Sequence, residues 1–165
     1  METEHIIHGF RPVFDNNSRV LVLGSMPSVK SREQGFYYGH PQNRFWKIIA
    51  AVCDRSVPVT IPDKQSLLLE NGIAVWDVIS ECDLVGSSDA SLKNVVPADL
   101  SVILDNAPIK AVFTNGSAAS DIYVKYQSVS DIPHIRLPST SPANAAWSFE
   151  RLLEKWIIIK EYLCV

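Results

Sequence analysis

Arg19-Val20-Leu21-Val22-Leu23-Gly24 is the stretch that decides the architecture. Four consecutive apolar residues closed by a glycine read as a short strand buried on both faces. Similar runs recur at 73–79 (Ile-Ala-Val-Trp-Asp-Val-Ile), 110–114 (Lys-Ala-Val-Phe-Thr) and 133–137. Helical patterns stand between them. Over 44–53, Phe45, Ile48, Ile49 and Val52 fall at helical spacing, with Asn43 in the N-cap place. Residues 63–71 end on Asn71-Gly72, residues 97–107 open with Pro97, residues 117–127 follow an Asn115-Gly116 turn, and a last helix is expected over about 144–162. The stretch 25–43 reads as a long loop and 80–96 as irregular. Strands alternating with helices predict a single α/β domain over 1–165, a three-layer sandwich whose central, mainly parallel sheet is flanked by helices.

A chain of 165 residues, 47% of them hydrophobic, buries a full core without staples. No apolar run reaches membrane-spanning length, and the polar start Met1-Glu2-Thr3-Glu4-His5 has no signal-peptide pattern, so a cytoplasmic protein is expected. Cys53, Cys82 and Cys164 form no C-x-x-C pair; they read as buried thiols, and neither a metal nor a cofactor is expected. The net charge of -3 argues against a strong non-specific nucleic-acid binder. It leaves room for a local basic patch built from Arg32, Arg44, Lys47, Arg136, Arg151 and Lys155. With no heptad pattern in the sequence, a monomer is expected.

In an α/β fold, ligands sit at the carboxyl ends of the parallel strands. Three chemically suggestive segments follow predicted strands: 24–28, 114–116 and 138–144. They are expected to open on one edge. Gly24-Ser25-Met26-Pro27-Ser28 fits close approach of a backbone to a ligand, and equally a plain tight turn; it lacks the spacing of a P-loop or a G-x-G-x-x-G fingerprint. Gly35 to Trp46 packs aromatics, glycines, a His-Pro and an amide into twelve residues. Aromatic faces stack bases and amides read base edges. Phe45 and Trp46 read first as helix core, whereas Tyr37 and Tyr38 are open between packing and stacking. His40 reads as a hydrogen-bonded turn residue or as part of a site. Asp77 reads more readily as a buried network residue than as part of a site. Asp89 and Lys93 read as solvent-facing loop residues.

Read together as GSMPS…GFYYGHPQNRFW, the stretch from Gly24 to Trp46 resembles the first motif of the mismatch-specific branch of the uracil-DNA glycosylase superfamily. With Phe113-Thr114-Asn115-Gly116 and Leu137-Pro138-Ser139-Thr140-Ser141-Pro142-Ala143-Asn144, it is similar to the hypoxanthine-DNA glycosylase branch. The resemblance implies that Tyr38 stacks on a flipped base and that Asn43 is the essential amide. It implies that Asn115 binds the base edge and that Ser139 stands where relatives aim a His or Asn at the base carbonyl. Gly24, Ser25, Met26 and His40 join the base-binding set, with His40 able to bond or protonate a leaving base. Met26 replaces the Asp or Asn that positions water in relatives, which speaks against classical uracil chemistry. Ser28, Ser141, Pro142, Ala143 and Asn144 are expected on the DNA, with Ala143 a poor duplex wedge.

The expected partner is double- or single-stranded DNA carrying a deaminated base, hypoxanthine before uracil or xanthine. The base is flipped into a pocket, Asn43 holds a water against C1′, and Asn115, Ser139 and backbone N–H groups near Gly24–Ser25 stabilise the leaving base. No carboxylate pair is evident in the three motifs, and no motif lysine offers a Schiff-base nucleophile, so a monofunctional enzyme leaving an abasic site is expected. The rivals are a uracil-specific enzyme of the same fold, a non-catalytic nucleic-acid-binding module, and a hydrolase of small nucleosides.

Overall fold

Residues 3–85, 91–129 and 131–163 are described by a computed structural model. The apolar run at the start of the sequence reading forms β2 (Val20–Gly24), buried along its whole length. It is the centre of a four-stranded parallel sheet in the order β3 (Ile73–Asp77), β2, β6 (Ala111–Asn115), β7 (His134–Leu137). The pleat divides the core in two. Val20 and Val22 face a cluster with Phe45, Ile48, Ile49, Leu68, Leu152 and Trp156, while Leu21 and Leu23 face a second cluster with Ile79, Leu100, Ile103 and Tyr123.

The first cluster is closed by α2 (Phe45–Val52), α3 (Ile61–Glu70), α6 (Phe149–Trp156) and α7 (Ile159–Leu163). The second is closed by α4 (Ser101–Leu104), α5 (Ser117–Tyr126) and an antiparallel sheet in the order β1 (Glu4–Ile7), β4 (Ile79–Leu84), β5 (Lys93–Pro97). The three-layer α/β architecture is therefore as expected, with this small second sheet added.

Local departures have identifiable causes. The loop expected over 25–43 holds a short helix, α1 (Val29–Gln34), with Ser28 as N-cap and Gly35 closing it at φ +76°. Only Ser31 of that helix is buried, so it carries no apolar period to read. The strand expected over 73–79 stops at Asp77; after Val78, whose N–H bonds Gly24 O at 2.8 Å, β4 starts in the other sheet. The irregular stretch expected over 80–96 is mostly β4 and β5, whose register shifts twice. Pro97 ends β5 rather than opening a helix, and only 101–104 are helical there. The helix expected over 144–162 starts at Phe149, because Ser148 caps it through Arg151 N, and it breaks before Ile159. β1 is not anticipated by the sequence reading.

Cys82 is buried and Cys53 is half-buried, with burial pushing the Cys53 thiol up to about 11. Cys164 lies outside the described residues, as does Asp89 with the rest of 86–90. No group of three or more His, Cys, Asp or Glu able to hold a metal, and no helix long and apolar enough to cross a membrane, occurs among the described residues.

Candidate active site

The parallel register delivers the site. Gly24 pairs with Asp77 across β2–β3, Leu23 with Thr114 across β2–β6, and Asn115 with Leu137 across β6–β7. The four strands thus end in a row. The chain leaves β2 toward β3 on one side and returns to β6 on the other, the switch at which open α/β sheets hold ligands. A cavity of about 150 Å³ lies there. Its walls are the 24–28 loop, Ser31, Tyr37, Tyr38, Asn43, Asp77, Asn115 and the 139–141 loop. The three segments singled out from the sequence do converge on one edge.

Two amides anchor the cavity through a residue that the sequence reading passed over, the fully buried Thr140. Asn115 Oδ1 accepts from Thr140 N and Asn115 Nδ2 donates to Thr140 Oγ1, both at 3.0 Å. Thr140 Oγ1 in turn donates to Asn43 Oδ1 at 2.8 Å. Asn43 Oδ1 also accepts from Phe45 N at 2.9 Å, but the N-cap of α2 is Arg44, which makes no side-chain cap bond, so Asn43 stands one residue before the N-cap place expected of it. This backbone bond fixes the orientation of the amide, leaving Nδ2 as its group available to a ligand. Both asparagines thereby present N–H donors.

Tyr38 stands in the left-handed region at φ +52°, and Trp46 Nε1 donates to its carbonyl at 3.2 Å. Phe45 stacks on its ring at a centroid distance of 3.9 Å and 17° between planes. Phe45 and Trp46 are thus core, as expected, and they brace an aromatic that lines the cavity. Burial pushes the Tyr38 phenol well above its ordinary range; nearby Asp77 adds to the shift and the Asn115 amide opposes it. Its buried Oη finds no partner of good hydrogen-bond geometry among the described residues. Tyr37, also shifted upward by burial first and Asp77 second, donates to Arg11 O at 2.8 Å.

Gly24 and Gly116 are needed for reasons of space. A Cβ on Gly24 would lie 2.5 Å from Asp77 Oδ1 and 2.9 Å from Tyr38 Oη. Gly116, at φ +94°, lets the Ser139 loop pass within 3.1 Å of where its Cβ would be. Ser139 Oγ accepts from Ser141 N at 3.1 Å, which leaves its O–H able to donate into the cavity. Ser25, Met26, Ser28 and Ser141 line the wall, the Ser28 hydroxyl serving also as the cap of α1.

His40 is not among the lining residues. Its Nδ1 accepts from Gln42 N at 3.1 Å and its carbonyl from Asn43 N at 2.9 Å, so it holds the turn that presents Asn43. Ala143 and Asn144 lie outside the cavity, along an adjoining groove of about 670 Å³ that also carries Gly116, Ser117, Arg136, Pro138, Ser139, Trp147 and Lys155. Pro142 lines neither the cavity nor the groove. Arg136 and Lys155 are the two members of the expected basic patch that the fold gathers there. Arg44 serves another purpose: its guanidinium donates to the carbonyls of Ser141 (3.0 Å), Asn144 (3.1 Å) and Trp147, clamping the 141–147 loop to the start of α2. Arg151 lies over the Trp147 ring at 4.2 Å. Asp77 is a buried network residue, the first of its two sequence readings, and it also lines the cavity. His8, its partner at 2.7 Å, had no signal in the sequence because its strand-to-loop segment carries no motif.

Comparison with known proteins agrees with this geometry. The model of the "Uracil DNA glycosylase superfamily" matches residues 11–161. A hypoxanthine DNA glycosylase of Methanosarcina barkeri (strain Fusaro / DSM 804) is 32% identical over 115 residues, 68% of this chain and 73% of the relative. One of Methanosarcina acetivorans is 30% identical over 148 residues, 88% of this chain and 93% of the relative. A solution NMR structure from Methanosarcina acetivorans, described as a candidate uracil DNA glycosylase, superposes with a TM-score of 0.82 at 29% identity, covering 94% of this chain and 97% of that one. The chain belongs to the uracil DNA glycosylase superfamily and is a DNA glycosylase.

Proposed function

We propose that this glycosylase removes hypoxanthine from DNA, hydrolysing the N-glycosidic bond of a flipped deoxyinosine and leaving an abasic site. The observation that carries the reading is the Asn43–Thr140–Asn115 network, which aims amide N–H donors into a cavity bounded by an aromatic ring. Hypoxanthine, like guanine, offers O6 and N7 as neighbouring acceptors, whereas adenine replaces O6 by an amino donor. Fixed donors that meet an amino group leave both groups unpaired, which rejects adenine. The curated relatives named as hypoxanthine DNA glycosylases support the same choice.

A cavity of about 150 Å³ is smaller than the roughly 300–1,000 Å³ of typical ligand pockets. It suits one flat base with the sugar at the mouth. The base must leave the stack to reach it, and a mismatched pair lowers that cost. Tyr38, backed by Phe45, supplies the face against which the base lies. As the bond to C1′ lengthens, negative charge builds on the base, and donors from Asn43, Asn115 and Ser139 stabilise it without reorganising. No lysine lines the cavity among the described residues, which favours direct hydrolysis over a Schiff base. The adjoining groove, with Arg136 and Lys155, takes the DNA backbone.

Asn43→Ala tests the reading. Single-turnover release of hypoxanthine from a deoxyinosine duplex is expected to fall about 100-fold or more, the loss typical of a preorganised donor. Full activity in that variant would remove Asn43 from the mechanism.

A further inference from the structure

The two amides leave one task unassigned. Their free groups are N–H donors, which bind lone pairs; a water about to attack carbon needs its lone pair free and its proton accepted. Met26 has no group for this. Asp77 is the one carboxylate among the described residues that line the cavity. It is buried, and its Oδ2 is held by His8 Nε2 at 2.7 Å, with the two side chains 5% and 4% exposed. His8 Nδ1 accepts from Phe10 N at 3.2 Å, so the imidazole proton sits on Nε2 and points at Asp77. Asp77 Oδ1 accepts no hydrogen bond from the described residues and stands against Gly24 on the cavity wall.

A purely structural tie between the N-terminal segment and β3 would be better served by a neutral pair or by a carboxylate with both oxygens satisfied, because burying a charge with an open acceptor is costly. Here the open acceptor borders the cavity that takes the base. We propose that Asp77 is a further catalytic residue of the glycosylase, its Oδ1 accepting the proton of the water that attacks C1′, and that His8 is the positioning residue that orients it. The water oxygen bonds to C1′, the C1′–N bond breaks with its electron pair going to the base, and the water proton passes to Asp77. The departing base takes a proton from solvent, and Asp77 returns its own to solvent. The same negative charge favours the cationic sugar of the transition state. This assignment rests on the cavity being the site of base excision.

The test uses the full chain, a duplex carrying the base that the wild type excises, and a duplex carrying a non-cleavable abasic-site analogue. Asp77→Asn keeps the shape and an acceptor for His8 but loses the charge. Its single-turnover rate is expected to fall by about 100-fold or more, in the range of general-base removal, while affinity for the analogue and the melting temperature stay near wild type. His8→Leu is expected to lose much of the rate, and His8→Gln, which can still donate to Asp77, to recover part of it. An Asp77→Asn rate within about three-fold of wild type would overturn the assignment. A parallel loss of rate and affinity would overturn it too, by making Asp77 a recognition residue. A folded wild type that releases no base would overturn the reading of the cavity itself, and this assignment with it.

Discussion

The smallest unit on which the account depends is Thr140. One hydroxyl accepts from Asn115 and donates to Asn43, and one backbone N–H donates to Asn115, so two motifs far apart in sequence are set by a residue of a third. Thr140→Val keeps the volume but leaves Asn43 Oδ1 with one donor fewer and one Asn115 N–H without its acceptor. A stability loss of about 1–3 kcal/mol is expected from the unmet polar groups, measured as a lower midpoint in urea. The single-turnover rate is expected to fall about ten-fold or more as the amides lose their alignment. A variant with wild-type rate would show that each amide is positioned by its own segment. Asn43, Asn115 and Tyr38 were legible in the sequence because they sit in recognisable motifs. Thr140, although inside the third motif, and His8 were not, because what singles them out is a hydrogen bond to a residue distant along the chain.

At the scale of elements, the sheet ends and the clamp on the 141–147 loop determine the site. β2, β6 and β7 were readable because buried parallel strands are continuous apolar runs. β3 was readable too, but its end at Asp77 was not, since Val78 and Ile79 continue the apolar run into another sheet. β4 and β5 read as irregular because Gly86, Ser87, Ser88 and Asp89 interrupt the sequence between them and their pairing shifts register twice. Arg44 looked like a phosphate ligand by charge, yet its guanidinium is committed to three carbonyls of the 141–147 loop. Arg44→Met retains the stem and removes those donors. The loop is expected to loosen, with faster amide hydrogen exchange over 141–147 and weaker binding of an abasic-site duplex. Unchanged exchange there would contradict the clamp.

For the whole molecule, a net charge of -3 meets a polyanion, so binding rests on local cations. Of the six cations grouped from sequence, Arg136 and Lys155 line the groove beside the cavity. Lys155→Ala is expected to weaken duplex binding alike for damaged and undamaged DNA and to reduce the salt slope by about one, with the rate at saturation unchanged. A change in rate without a change in the salt slope would place Lys155 in the chemistry instead. The sequence supplied these two cations among six, and the choice of two arises only in the fold, where Arg136 of β7 and Lys155 of α6 line the same groove.

The measurement that bears most directly on the central claim is strand cleavage by hot alkali after incubation with labelled duplexes containing one hypoxanthine, uracil or xanthine. The account predicts cleavage at hypoxanthine, dependent on alkali, with free hypoxanthine released and no nick before heating. Cleavage at uracil with the deoxyinosine duplex left intact would contradict it.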